Sequence, residues 1–185
     1  MASRDSFRAP RRHRGLTLIE VVVALVLLLV VTTFALPTWR HWLARQELAN
    51  RAYTLSTALE RARTEAIKRG HRVNLCKSPD AETCTDAGDW SMGWILHVDA
   101  LAEGRPAPDE PPIAHDPPVA APIRVEGNGP VDDYVSFTPL GEPRRLSGAL
   151  QMGTFTLCRA GHDEVQVVLA ATGRVRTVRT RTRCP

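Results

Sequence analysis

The strongest constraint on this chain is an apolar run from Leu16 to Leu36 that follows a short basic segment, Arg11-Arg12-His13-Arg14-Gly15. Its length matches the ~20 residues a helix needs to cross the hydrocarbon of a bilayer. In lipid only a helix satisfies such a segment's own backbone. Arginines ahead of the run place the leader in the cytoplasm and everything after Leu36 outside it. One charge, Glu20, lies inside the run, where a carboxylate costs about 2.5–3.5 kcal/mol on insertion scales. A free amine made by cutting the chain after Gly15 would give that acid a partner. A secretory signal would have a shorter apolar core and a small-residue cleavage site, for which Thr33-Phe34-Ala35 is a poor candidate.

The net charge of +4 conceals an uneven distribution. Residues 1–15 hold five arginines and one aspartate, so the chain from Leu16 onward sums to zero. Residues 37–72 hold eight Lys/Arg against three acids, and 73–171 hold six against fifteen. The tail from Thr172 to Pro185 holds five arginines and no acid. An acidic body with a basic helix and a basic tail is the informative pattern. Beyond the anchor, about 110 residues remain for one domain with its own core.

Four cysteines lie in that domain: Cys76, Cys84, Cys158 and Cys184. Their spacings match no zinc pattern, so outside the cytoplasm they read as disulfides. Three pairings are open. The expected one is Cys76–Cys84, closing a short loop, with Cys158–Cys184 tying the tail to a strand.

Pro37 removes one helical N–H and is expected to bend the helix without ending it. Beyond it, Leu48, Ala52, Leu55, Leu59, Ala62 and Ala66 recur at three- and four-residue steps, an amphipathic stripe. Arg45, Arg51, Arg61, Arg63 and Arg69 fall mainly off the stripe and are expected to form a solvated face. Gly70 is a C-cap candidate. Short strands follow at Arg72–Cys76, Trp94–Val98, Ile123–Glu126, Tyr134–Thr138, Thr154–Cys158, Val165–Ala170 and Arg174–Val178, with Thr172-Gly173 as the last tight turn. Gly104 to Pro122 carries seven of the fourteen prolines and should be an irregular loop. The fold class is α+β: a long bent helix, its first half transmembrane, packed on a small antiparallel β-domain. The expected divisions are a leader at 1–15, a membrane and assembly helix at 16–36, its amphipathic continuation at 37–70 and the β-domain at 71–185.

The leader with its glycine, apolar run and Glu20 resembles the class III signal of type IV pilins and pseudopilins. That resemblance implies that a prepilin peptidase cuts after Gly15 and methylates the new terminus at Leu16. It also implies that Glu20 pairs with a neighbouring subunit's N-terminal amine during assembly. The family prefers Phe at the first mature position, so Leu16 is a mild departure. Three later stretches are similar to the GspH/FimT branch: Arg63-Thr64-Glu65-Ala66-Ile67-Lys68-Arg69-Gly70 before a Val-x-Leu-Cys strand, Trp90-Ser91-Met92-Gly93-Trp94-Ile95, and Ser136-Phe137-Thr138-Pro139-Leu140-Gly141. The branch implies a pilin-like helix on two small β-sheets.

No catalytic grouping, phosphate-binding glycine loop or metal cluster stands out, so neither an enzyme nor a cofactor is expected. His97 reads as a half-buried strand residue, and Trp90 and Trp94 as core. The tail Gly173-Arg174-Val175-Arg176-Thr177-Val178-Arg179-Thr180-Arg181-Thr182-Arg183-Cys184 has one sharp reading. The guanidinium is a planar, always-charged fork that matches phosphate oxygens. In a regular strand Arg174 and Arg176 share one face, while Arg179, Arg181 and Arg183 share the other. A bulge or loosening near Thr177-Val178 would bring all five together. Without a nearby aromatic residue, binding would be largely sequence-independent. The plainer reading is that the arginines blunt an edge strand or meet the acidic body of a neighbouring subunit. Gly173-Arg174-Val175-Arg176 is similar to the GRxR element of FimT-type minor pilins, which implies capture of double-stranded DNA for uptake in natural transformation. The alternative is a minor pseudopilin of a type II secretion system, priming or capping a pseudopilus without touching DNA. Either way the expected setting is the inner membrane, N-terminus cytoplasmic and β-domain periplasmic, among other pilin subunits. Arg69 and Arg72, at the helix end, could extend the basic patch.

Overall fold

The structure is a computed structural model that describes residues 15, 17–107, 110–119 and 122–185, with side chains at positions 34–38 not described. Leu16 and the leader before Gly15 lie outside the described residues.

One helix, α1, spans Leu18–Arg69. Its start is set by Thr17, whose Oγ1 and carbonyl accept from the Glu20 N–H at 3.3 and 3.1 Å. Thr17-x-x-Glu20 thus has the sequence of a capping box, with the acid on the positive end of the helix. Its end is set by Gly70, at φ +66°, whose N–H donates to the Ala66 carbonyl at 3.1 Å. Glycine adopts this left-handed geometry at no steric cost.

The chain divides into two compact units, Met1–Trp42 and Leu43–Pro185. In the first, the described side chains are all exposed, including the apolar series from Leu18 to Val31. Among the described residues no helix is long and apolar enough to cross a membrane. Of the expected span 16–36, Leu16 and the side chains of Phe34, Ala35 and Leu36 lie outside what is described, as does Pro37's side chain; the helix itself runs on through Pro37.

In the second unit, the later turns of α1 pack on two antiparallel sheets. Strands β1 (Val73–Lys77), β2 (Trp94–Val98), β3 (Ala114–Asp116) and β5 (Tyr134–Phe137) form a sheet of order β3-β2-β1-β5. Strands β4 (Arg124–Gly127), β6 (Gly153–Cys158), β7 (Asp163–Leu169) and β8 (Val175–Arg183) form another, of order β4-β6-β7-β8. The fold class is α+β, with helix and sheets segregated. The predicted helical stripe is buried in full, from Leu48 to Ala66, against Leu75, Leu96, Val125, Phe155 and Val167 among others. Its three alanines allow a close approach of helix and sheets. Trp90 joins the layers: its ring meets Phe155 edge-on at 5.1 Å, and its Nε1–H donates to the Val131 and Asp132 carbonyls.

Three expectations need correction. The loop from Gly104 to Pro122 is not wholly irregular, because the proline-free stretch 113–116 keeps its N–H groups and pairs with β2 as β3. Arg51 and Arg63 are not on a solvated face. Arg51 lies 3.8 Å over the Trp94 ring and forms an ion pair with Asp116, while burial pulls its pKa below the ordinary value and Asp116 opposes that shift. Such a site combines cation–π attraction with the packing of a long aliphatic stem. His97 is fully buried, not half-buried, because the 78–89 loop covers its face of the sheet.

Candidate nucleic-acid interface

Four of the tail arginines ride on β8, an edge strand, and Arg174 immediately precedes it. The strand enters through the tight turn foreseen at Thr172-Gly173, with Gly173 at φ +79°. The Ala170 N–H donates to the Arg174 carbonyl, and the Gly173 N–H donates to the Ala170 carbonyl, both at 2.9 Å. A Cβ at Gly173 would stand 2.7 Å from the Gly141 carbonyl oxygen and 3.2 Å from Arg63 Nε. One at Gly141 would meet Ile67 Cδ1 at 2.7 Å and the same Nε at 3.1 Å. Arg63 Nη1 donates to the Gly173 carbonyl at 3.5 Å. Three stretches far apart in sequence therefore converge: the end of α1, the Thr138–Gly141 turn and the β7–β8 hairpin. Two glycines are needed there because backbone, helix and guanidinium meet without room for a side chain.

The far end of β8 is held by a disulfide between Cys158 and Cys184, and by the Cys184 N–H donating to the His162 carbonyl at 2.9 Å. The other disulfide joins Cys76 to Cys84. Between its two anchors β8 is exposed along nearly its whole length. Arg174, Arg176, Arg179, Arg181 and Arg183 are all solvent-exposed, and among the described residues none has a side-chain hydrogen bond or ion pair.

The register divides these arginines. Directly paired residues share a face. Arg176 stands opposite Val168, so Arg176 and, by alternation, Arg174 lie on the outer face. Arg179 stands opposite buried Val165, on the face toward α1, where it lines a cavity of about 190 Å³ with Arg45, Leu48, Asp163 and Glu164. The bulge or loosening near Thr177-Val178 that would unite the five is absent; pairing runs unbroken from Val175 to Arg179. The irregularity comes later, between Asp163 and Val165 on β7, where β8 passes from Arg179 to Arg183. It adds two residues rather than one, so parity is kept and Arg183, opposite Asp163, stays on the Arg179 face. The five cations therefore flank the free edge from both sides. Arg69 and Arg72 are otherwise engaged. Arg69 bonds Glu65 at 2.8 Å and thereby holds that carboxyl below its usual pKa, and Arg72 donates to Ser136 Oγ and the Arg144 carbonyl.

Away from the tail, sequence spacing conceals one cluster. On the outer face of the first sheet, potential ligand atoms of Cys76, Cys84 and His97 all lie within 4.8 Å of one another, with both sulfurs in the disulfide. Burial lowers the His97 pKa. At the other end of the chain, Gly15 and Glu20 are exposed.

A helix whose early turns expose an apolar surface, and whose later turns carry a two-sheet antiparallel domain, is a pilin-like fold. The sequence matches the family model for the type II transport protein GspH over residues 51–173 and that for the prokaryotic N-terminal methylation motif over residues 10–36. The chain belongs to the GspH family. Two crystal forms of the type IV minor pilin FimU of Pseudomonas aeruginosa (strain PAO1) share its fold. One has TM-score 0.57 and 20% identity over 75% of this chain and 96% of that one; the other has TM-score 0.54 and 18% identity over 73% and 98%. The minor pseudopilin EpsH of the Vibrio cholerae type 2 secretion system aligns with TM-score 0.47 and 12% identity over 72% of this chain and 97% of that one. No curated protein matches the sequence. The protein is thus a GspH-family chain with a prokaryotic N-terminal methylation motif and a pilin-like fold.

Proposed function

We propose that this protein is a minor type IV pilin that binds duplex DNA without sequence preference through β8, serving DNA uptake in natural transformation. The observation that supports this reading is the row of five exposed arginines without side-chain partners along one free strand edge and the turn that leads into it. At about 3.3 Å per residue, nine residues of β8 span roughly the length of eight base pairs. Arginines on both faces of an edge strand can reach a phosphate backbone lying along that edge, so the two-faced arrangement serves a rod-like ligand. Charge is the whole of the affinity in this reading.

The assembly end follows from the same class. Cleavage after Gly15 frees the amine of Leu16, which is methylated, and Glu20 pairs with that amine on a neighbouring subunit. Residues 16–36 anchor the precursor in the inner membrane with the β-domain in the periplasm, before incorporation among other pilin subunits.

The test uses the full chain in detergent with fluorescent duplex DNA, titrated at several salt concentrations. Five contacts give a log–log salt slope of about −4.5. Arg174→Gln/Arg176→Gln and Arg179→Gln/Arg183→Gln should each reduce the slope by about 2, since each pair stands on one flank of the edge. Folded, oxidised protein that fails to bind at low salt would sink the DNA reading and leave the secretion pseudopilin in its place.

A further inference from the structure

We propose that Cys76, Cys84 and His97 form a redox-gated zinc site, closed while the cysteines are joined and opened when a dithiol reductant separates them. The pairing of β1 with β2 builds it. Cys76 stands opposite Ile95 and Asn74 opposite His97, so Cys76 and His97 are diagonal neighbours on one face of the sheet. The loop from Ser78 to Asp89 folds over that face and delivers Cys84. That loop is fixed independently of the disulfide. Lys77, fully buried, donates from Nζ to the Asp86 and Gly88 carbonyls at 2.9 and 3.0 Å, and the Asp80 carboxylate ties Ser78, Glu82 and Thr83 together. Breaking the S–S bond therefore leaves both sulfurs near their places.

The imidazole is already set for coordination. His97 Nδ1 lies 3.1 Å from the Val98 carbonyl oxygen, which can only accept, so Nδ1 carries the hydrogen and Nε2 presents its lone pair. A backbone carbonyl on the far ring nitrogen is the usual support for a zinc-bound histidine. Nε2 stands 3.5 Å from Cys84 Sγ. Sulfur at ~2.3 Å and nitrogen at ~2.0–2.1 Å from a tetrahedral zinc are about 3.6 Å apart, so that edge of the coordination polyhedron exists before the metal arrives. Cys76 and His97 are buried and Cys84 is half-buried, which makes Cys84 the side of entry and leaves a fourth position for water.

The chemistry balances with a dithiol reductant. Two electrons and two protons pass to the Cys76–Cys84 disulfide, the reductant is itself oxidised to a disulfide, and Zn²⁺ then displaces one proton from each thiol. The neutral imidazole adds no further proton change.

The test compares oxidised and reduced full-length protein in detergent. Zn²⁺ affinity is measured by chelator competition, and Co²⁺ serves as a spectroscopic probe of tetrahedral thiolate ligation. Reduced protein should bind one metal ion with thiolate-to-cobalt bands, and oxidised protein none at this site. His97→Gln, which leaves the disulfide intact, should weaken zinc binding by about tenfold or more and change the cobalt spectrum. Cys84→Ser should abolish the bands. Two outcomes overturn the proposal: no binding after reduction, or binding indifferent to His97→Gln.

Discussion

The two halves of α1 are the same structure held for different reasons. From Leu18 to Val31 every described apolar side chain is exposed, and that part of the helix owes nothing to tertiary packing. From Ala44 to Ala66 seven apolar positions, Ala44, Leu48, Ala52, Leu55, Leu59, Ala62 and Ala66, fall on one stripe and are buried. Isolated helices in water are marginal, and most gain their stability from a packed face. The second half fits that description. The first exposes a contiguous apolar surface of the kind that marks an interaction site. One helix thus carries an exposed apolar surface and a buried domain stripe, and substitutions in the two halves should be felt by different measurements.

The largest contrast comes from deleting the same side chain in each half. Leu59→Ala should cost the β-domain about 2–5 kcal/mol, the range for a fully buried leucine, read by denaturant unfolding in detergent with tryptophan fluorescence. Leu25→Ala should leave that transition unmoved; equal losses would break the comparison. Next, Cys158→Ser/Cys184→Ser should lower the same transition by about 3–4 kcal/mol, the loop-entropy value for a 26-residue separation, with helix exchange before Trp42 unaltered. A smaller effect belongs to the exposed half alone. Thr17→Ala should remove about 1 kcal/mol of capping, seen as faster amide exchange over residues 18–21 with no shift in domain unfolding. Smallest is Asp80→Asn. The Thr83 hydroxyl, with the Thr83 and Glu82 N–H groups, holds the Asp80 carboxyl well below its usual range. Its contribution is therefore present above the ordinary carboxylate pKa of about 3.9 and fades as pH falls through and below it. Wild type and variant should differ at neutral pH and converge in acid.

Much of this fold was legible because its signals are local. The stripe from Leu48 to Ala66, Gly70 as a cap, Trp94–Val98 as a strand and the turn at Thr172-Gly173 each rest on periodicity or on one residue's backbone freedom. What escaped was set by partners distant in sequence. β3 exists because β2 offers an edge to the short proline-free run 113–116, and no local rule announces that. Arg51 and Arg63 sit off the stripe, yet their reach takes them under Trp94 and against Gly173. In the tail, residue identity fixed which arginines alternate, but the two-residue irregularity depends on where β7 pairs and lies beyond the reach of strand parity alone. The Cys76–Cys84–His97 cluster was hidden for the same reason, since only the β1–β2 register brings His97 to the sulfurs. Thr17-x-x-Glu20 was readable as a helix start and was eclipsed by the apolar run beside it.

The anchoring of β8 has one more consequence. The strand is fastened at Gly173 and at Cys184, while almost nothing between them contributes to the core. Its side chains can therefore be rewritten, charge for charge, without altering what makes the domain fold. Stability and surface chemistry are in this way nearly independent variables along those nine positions. The same scaffold could be tuned toward stronger, weaker or wholly different ligands by changing one strand and leaving the rest alone.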